Sequence, residues 1–201
     1  MKIGKIAVVI GHNSKKQGAQ AIAPIDQSEF DFNSELATHM LVLAENYRMD
    51  VKTFTRQYMG SYTKEIRKVY GEVNAWGADF SMELHFNSAY FTATGSEVFS
   101  SGTPESLRFA NLVQQELITL FKRSGKTDRG VKVRKKGARG YLSLVSGKAP
   151  AILVEPFFGS NRSDVRKMHQ MGLPPLAEAY LRAMQGVVQQ TMELPPPPPD
   201  S

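Results

Sequence analysis

Residues 6–12 read Ile6-Ala7-Val8-Val9-Ile10-Gly11-His12, five apolar side chains in a row closed by a glycine and a histidine. A run with no polar alternation suits a strand covered on both faces, as in a parallel sheet. Ala151-Ile152-Leu153-Val154 repeats that pattern and ends on Glu155. Phe80 to Phe86 is a third strand, with Met82, Leu84 and Phe86 on one face and Ser81, Glu83 and His85 on the other. Val51–Thr55 and Glu97–Ser100 read as further strands. Between them the apolar period changes to that of helices. One starts at Ser28, an N-cap with Asp31 in capping-box position, and carries Phe32, Leu36, Met40, Leu43 and Tyr47 on one stripe. Others run from Thr63 to about Trp76, closed by Gly77, and from Thr103-Pro104 to about Arg123, closed by Gly125. Ser163 to Gln170 and Pro174 to Met192 complete the set, and the basic stretch Thr127–Gly147 reads as a strand fragment with an ordered loop. Alternating strands and helices predict an α/β domain over 1–193, a mostly parallel twisted sheet with helices on both faces. A proline-rich tail occupies 194–201.

At 201 residues, with 41% hydrophobic and 22% charged, the chain has the balance of a folded domain with a real core. It has no cysteine, which excludes disulfides, Cys-based zinc sites and thiol nucleophiles, and leaves any metal to carboxylates and four histidines. The net charge of +6 favours an anionic partner (nucleic acid, an acidic membrane face or a cell-wall polymer) without choosing among them. Within the basic stretch only Tyr141 is aromatic, which speaks against a stacking groove for nucleic acid. The apolar run after Met1 is too short to span a bilayer and lacks a cleavage site. The expectation is a monomer made in the cytoplasm, with no signal peptide and no stable membrane anchor.

Ligands of open α/β sheets sit beyond the carboxyl ends of the strands. His12, His85 and Glu155 all fall at that edge. Catalytic zinc takes three ligands from His, Asp and Glu and keeps one position open. His12 and His85 are the natural nitrogen donors, and Glu29, opening the next helix, is a carboxylate able to face them. Taken by spacing, these dispersed residues fit a purely structural role as well. His39 and His169 lie within helices and read as structural.

The motifs, taken in order, add a resemblance. Val9-Ile10-Gly11-His12-Asn13, Gly18-Ala19, Glu29 with Asn33 and Leu36-Ala37, Thr55-Arg56, Leu84-His85-Phe86-Asn87, Asp128–Lys132 and Leu153–Asn161 resemble, block by block, the type 3 family of N-acetylmuramoyl-L-alanine amidases of bacterial autolysins and phage endolysins. The resemblance spans about residues 5–190. It implies one Zn2+ held by His12, Glu29 and His85, with Glu155 as the catalytic carboxylate, and hydrolysis of the amide between N-acetylmuramic acid and L-alanine in peptidoglycan. With no wall-binding repeats and no export signal apparent, it points towards an endolysin that lyses cells. Three departures from the pattern stand out: Asn13-Ser14 replaces two glycines, Glu83 replaces a small serine, and Pro156-Phe157 replaces a small residue and glycine. Asn87, Arg129 and Glu83 are candidates for binding substrate, Glu83 alternatively for orienting a histidine. Competing readings are a zinc peptidase acting within the stem peptide and a non-catalytic wall-binding module.

Overall fold

The computed structural model describes residues 4–193, so the tail expected at 194–201 lies outside the described residues. The order of elements is β1 (Lys5–Ile10), α1 (Glu29–Ala44), β2 (Asp50–Thr55), α2 (Tyr62–Trp76), β3 (Phe80–Leu84), β4 (Ser96–Ser100), α3 (Pro104–Leu120), β5 (Asp128–Val133), α4 (Tyr141–Val145), β6 (Ala151–Glu155), α5 (Arg162–Met171) and α6 (Leu173–Glu193). The strands form one sheet in the order β2-β1-β3-β6-β4-β5. β1 is parallel to β2 and β3, and β3 to β6. β4 runs antiparallel to β6, and β5 is parallel to β4. The sheet is therefore mixed but mostly parallel, as the apolar runs implied. Its reversal comes from the connection 85–95, which holds no helix; a parallel return ordinarily needs a helical crossover.

Alternate side chains of the central strands feed two different layers. Ile6, Val8, Ile10, Met82, Leu84, Val98, Ile152 and Val154 face the main core beneath α1, α3 and α6, where Leu36, Phe109, Val113, Tyr180 and Met184 are fully buried. Each such apolar side chain contributes roughly 1.5–3 kcal/mol through burial. On the opposite face Ala7, Val9 and Phe54 lie under Ile66, Val69, Tyr70 and Val73 of α2. Farther along that face Phe99, Ala151 and Leu153 form a small cluster with Leu144 of the short α4. Beyond α4 no long helix covers the face of β6 and β4, and there Glu97, Phe99, Leu153 and Glu155 border a cleft.

Several element ends differ from expectation for local reasons. Ser28 caps α1 as anticipated, its Oγ accepting the Asp31 N–H at 3.1 Å, but the helix tightens into a 3-10 turn after Ala44. α3 stops at Leu120 because Lys122 adopts φ 47° and the Arg123 N–H closes back on the Ile118 carbonyl at 2.8 Å, an αL closure made without glycine. The basic stretch holds β5, a loop and then α4, a helix too short to show a period. No helix of the described residues is long and apolar enough to cross a membrane.

Candidate metal centre and cleft

His12 follows β1 with only Gly11 between, and His85 comes directly after β3, the parallel neighbour of β1. The two ends approach so closely that a Cβ on Gly11 would lie 2.4 Å from the Leu84 carbonyl oxygen and 2.5 Å from the His85 ring. His12 itself takes φ 67°, an uncommon conformation for a side-chain-bearing residue, and this turns its imidazole back over the strand ends. Gly18, at φ 84°, lets the next loop pass the His12 ring, which a Cβ there would meet at 2.7 Å. That loop delivers Glu29 as the first residue of α1, where the helix N-terminus favours a carboxylate.

The three side chains converge. Glu29 Oε2 lies 3.1 Å from His12 Nε2 and 2.9 Å from His85 Nδ1, while Oε1 accepts the Ala19 N–H at 3.0 Å. One donor atom from each residue falls within 4.8 Å of the others. Donors about 2.0–2.1 Å from a tetrahedral ion stand roughly 3.4 Å apart, so two nitrogens and one carboxylate oxygen at these separations fit a divalent metal. Burial by itself would raise the Glu29 carboxyl. The hydrogen bonds and charges of His12 and His85 outweigh it and hold the group well below the usual carboxylate range.

His85 is braced from behind. Its Nε2–H donates to Glu83 Oε1 at 3.0 Å, and the Tyr70 hydroxyl donates to Glu83 Oε2 at 2.9 Å. Burial opposes the charge on His85, but bonds to Glu29 and then Glu83 raise its pKa to about 10. Burial likewise opposes the Glu83 carboxylate, and His85 then overcomes it, leaving that pKa at about 2. Nδ1 therefore faces the cluster and Nε2 keeps its proton on a fixed carboxylate, the tautomer a metal ligand needs. Glu83→Ala is expected to weaken metal affinity by about 10–100-fold, with Glu83→Gln recovering most of it through its amide oxygen. Competition against a chromophoric chelator measures this, and unchanged affinity in Glu83→Ala would remove the bracing role.

Glu155, at the end of β6, is half-buried, yet its Oε2 reaches no solvent and has no hydrogen-bond partner among the described residues. Burial raises its pKa; His85 opposes, but Glu29 and Glu97 add to the rise and the group sits at about 8. Glu97 is its cross-strand partner in β4. Glu97 is buried and saturated: Asn87 donates to Oε1, while Arg129 Nε (3.1 Å) and Lys132 donate to Oε2. Asn87 and Arg129 thus line the cleft but spend these donors on Glu97. Arg129 reaches it because a register shift between Ser96 and Glu97 sets Asp128 and Gly130, not Arg129, opposite the strand.

All of these residues border one cleft of about 1000 Å³. Its floor includes Leu153 and Phe99, and Arg134, Lys136 and Arg139 stand along one side. Asn13, buried, donates to Glu65 at 3.0 Å, and Glu65 lies 3.5 Å from Arg56, which fixes the loop after His12.

The family model described as N-acetylmuramoyl-L-alanine amidase matches residues 6–185, nearly the whole chain. The chain belongs to the N-acetylmuramoyl-L-alanine amidase family. It is an amidase acting on amide bonds of peptidoglycan. Among solved structures, this amidase is similar to the catalytic domain of CD27L, an endolysin targeting Clostridia difficile, at 25% identity and a TM-score of 0.77, covering 91% of this chain and 97% of that one. The catalytic domain of CwlV from Bacillus (Paenibacillus) polymyxa var. colistinus has the same fold at 18% identity and a TM-score of 0.75, with 93% and 99% covered. So does the N-acetylmuramoyl-L-alanine amidase of Clostridium difficile 630, at 21% and 0.74, with 93% and 97% covered. Comparison with curated protein sequences gives no match.

In the amidase, the departures from the family pattern have separate outcomes. Asn13 ties the loop after His12, and Phe157 turns into the core against Phe32 and Phe86, both at 5.3 Å between ring centroids. Glu83 faces His85. Sequence reasoning does not single out Glu97 or Tyr70. The only signal for Glu97 is an acid inside a short apolar strand, and Tyr70 looks like one more member of the α2 stripe.

Proposed function

We propose that this amidase is a one-zinc hydrolase that cuts the bond between N-acetylmuramic acid and the first L-alanine of the stem. His12 Nε2, Glu29 Oε2 and His85 Nδ1 would hold the ion, and Glu155 would move the proton. The observation that supports this most is the convergence of those three atoms beside an unpartnered carboxylate oxygen. Bound there, zinc would polarise the scissile carbonyl and acidify the attacking water. Glu155 takes the proton from that water at Oε2 and returns it to the departing amine, ending the cycle as it began. Glu83 and Tyr70 keep His85 in register, while Glu97, neutralised by Arg129 and Lys132, fixes the wall beside the base.

The products test this reading. Digests of purified wall should yield stems with a new L-alanine amino terminus and muramic acid with a free lactyl carboxylate, and activity should vanish on chelation and return with zinc. Free D-amino acids or shortened stems would mean a peptidase instead. The likeness to an endolysin catalytic domain supports a role in lysis, with the enzyme made in the cytoplasm and reaching the wall after release. Cytoplasmic expression should then lyse cells only alongside a membrane-permeabilising protein.

A further inference from the structure

The cleft has a direction. Across the sheet the order β1, β3, β6, β4, β5 sets His12 and His85 first, Glu155 next, and the Phe99 floor last. The leaving amine must lie at Glu155, which protonates it, so the peptide side of the substrate runs on towards Leu153 and the Arg134 that covers Phe99. The register pairs Glu97 with Glu155 and Phe99 with Leu153. Phe99 is therefore one strand across and two residues along from Glu155, about 8 Å away. Arg134 lies over that ring, its guanidinium carbon 3.5 Å from the ring centroid. Its backbone N–H is fixed by the Ser100 carbonyl at 3.0 Å, and its Nε is buried without a hydrogen-bond partner. Arg129, Lys132 and Arg56 are all paired with carboxylates. Among the described residues Arg134, Lys136 and Arg139 are not, although all three line the cleft.

A guanidinium stacked on an aromatic ring, half-buried and short of an acceptor, suits a carboxylate. In an extended peptide, a carboxyl group borne directly on the second residue lies roughly 6–7 Å from the leaving nitrogen, which matches the reach from Glu155 to Phe99. We infer that Arg134, with Lys136 and Arg139 beside it, forms a carboxylate subsite that selects stems whose second residue carries a free carboxylate over stems in which that group is amidated. The inference rests on the amidase reading above. It assigns this wall a ligand, and it makes amidation of the stem a means of escaping the enzyme.

Two matched muramoyl-peptides, differing only in a carboxylate or carboxamide at that position, test it on the zinc-loaded enzyme. The free acid should be cut with kcat/KM about tenfold or more above the amide, the size of a charge-assisted contact. Arg134→Met should bring the ratio near one, Arg134→Lys should restore part of it, and Arg139→Gln should lower it less. Lys126→Gln, an exposed charge away from the cleft, should leave the ratio as it was. Equal cleavage of both peptides by the unaltered enzyme, or a ratio untouched by Arg134→Met and Arg139→Gln alike, overturns the subsite and leaves the amidase reading intact. Cleavage of neither peptide at the lactyl amide would instead overturn that reading.

Discussion

Glu155→Gln is expected to lower kcat by about 10³ while leaving zinc binding nearly unchanged, because it removes the proton carrier and keeps the shape. The same substitution should make the metal-free protein more stable. In the fold Glu155 holds its proton up to about pH 8, whereas the unfolded chain gives it up near 4.5. Between those values the folded state binds the extra proton, so stability falls as pH rises through the window and levels off above it. Glutamine abolishes that slope, and the gain above pH 8 is on the order of a few kcal/mol. Urea titrations of both forms at pH 5 and pH 8.5 measure it. A variant that hydrolyses wall at the full rate, or one that loses stability at high pH, would contradict the assignment.

Removing the metal should have the second large effect. Zinc at about 1,000 times its dissociation constant adds about 4 kcal/mol, which for a chain of this size is roughly 8–16 °C in Tm. Chelation should reverse that shift and abolish hydrolysis, and His85→Ala should do both permanently. The pH dependence has a definite sign. Without metal, the His85 pKa is raised to about 10, so the stability its charge adds is complete below pH 6.5 and is lost as pH rises through 10. Zinc must displace a proton from this ring, and its approach also favours ionised Glu155. Uptake at pH 7 should therefore release about one to two protons, and affinity should rise with pH. Calorimetry in buffers of different ionisation enthalpy reads that number directly. Zinc uptake without proton release would mean that His85 is not a ligand.

The residues at the strand ends were legible in sequence because an uninterrupted apolar run announces a central strand, and the residue that closes the run must stand at the sheet edge. That reasoning reached His12, His85 and Glu155. It could not reach Glu29 by spacing, since the loop from Ala19 to Ser28 closes through Gly18 and the strained His12 rather than through any period. Alternation placed Glu83 on the face of His85 but gave no sign of Tyr70, which arrives from α2 by packing between elements. The inward turn of Arg129 depends on one register shift in β4–β5, and a slip of this kind leaves no pattern in composition. The reversal of β4 was equally hidden, because strand–helix alternation looks the same whichever way a strand runs.

The unequal cover on the two faces of the sheet has a consequence for how such an enzyme diversifies. α1, α3 and α6 hold the main core on one face, while the cleft side of the other supports Glu155, Glu97 and the wall of Arg134, Lys136 and Arg139. Residues 135–140 are mostly exposed and belong to no hydrophobic cluster. Drift in that segment touches little that keeps the chain folded. The side of the cleft can therefore change through a few surface codons while His12, Glu29, His85 and Glu155 stay where the strand ends and α1 hold them.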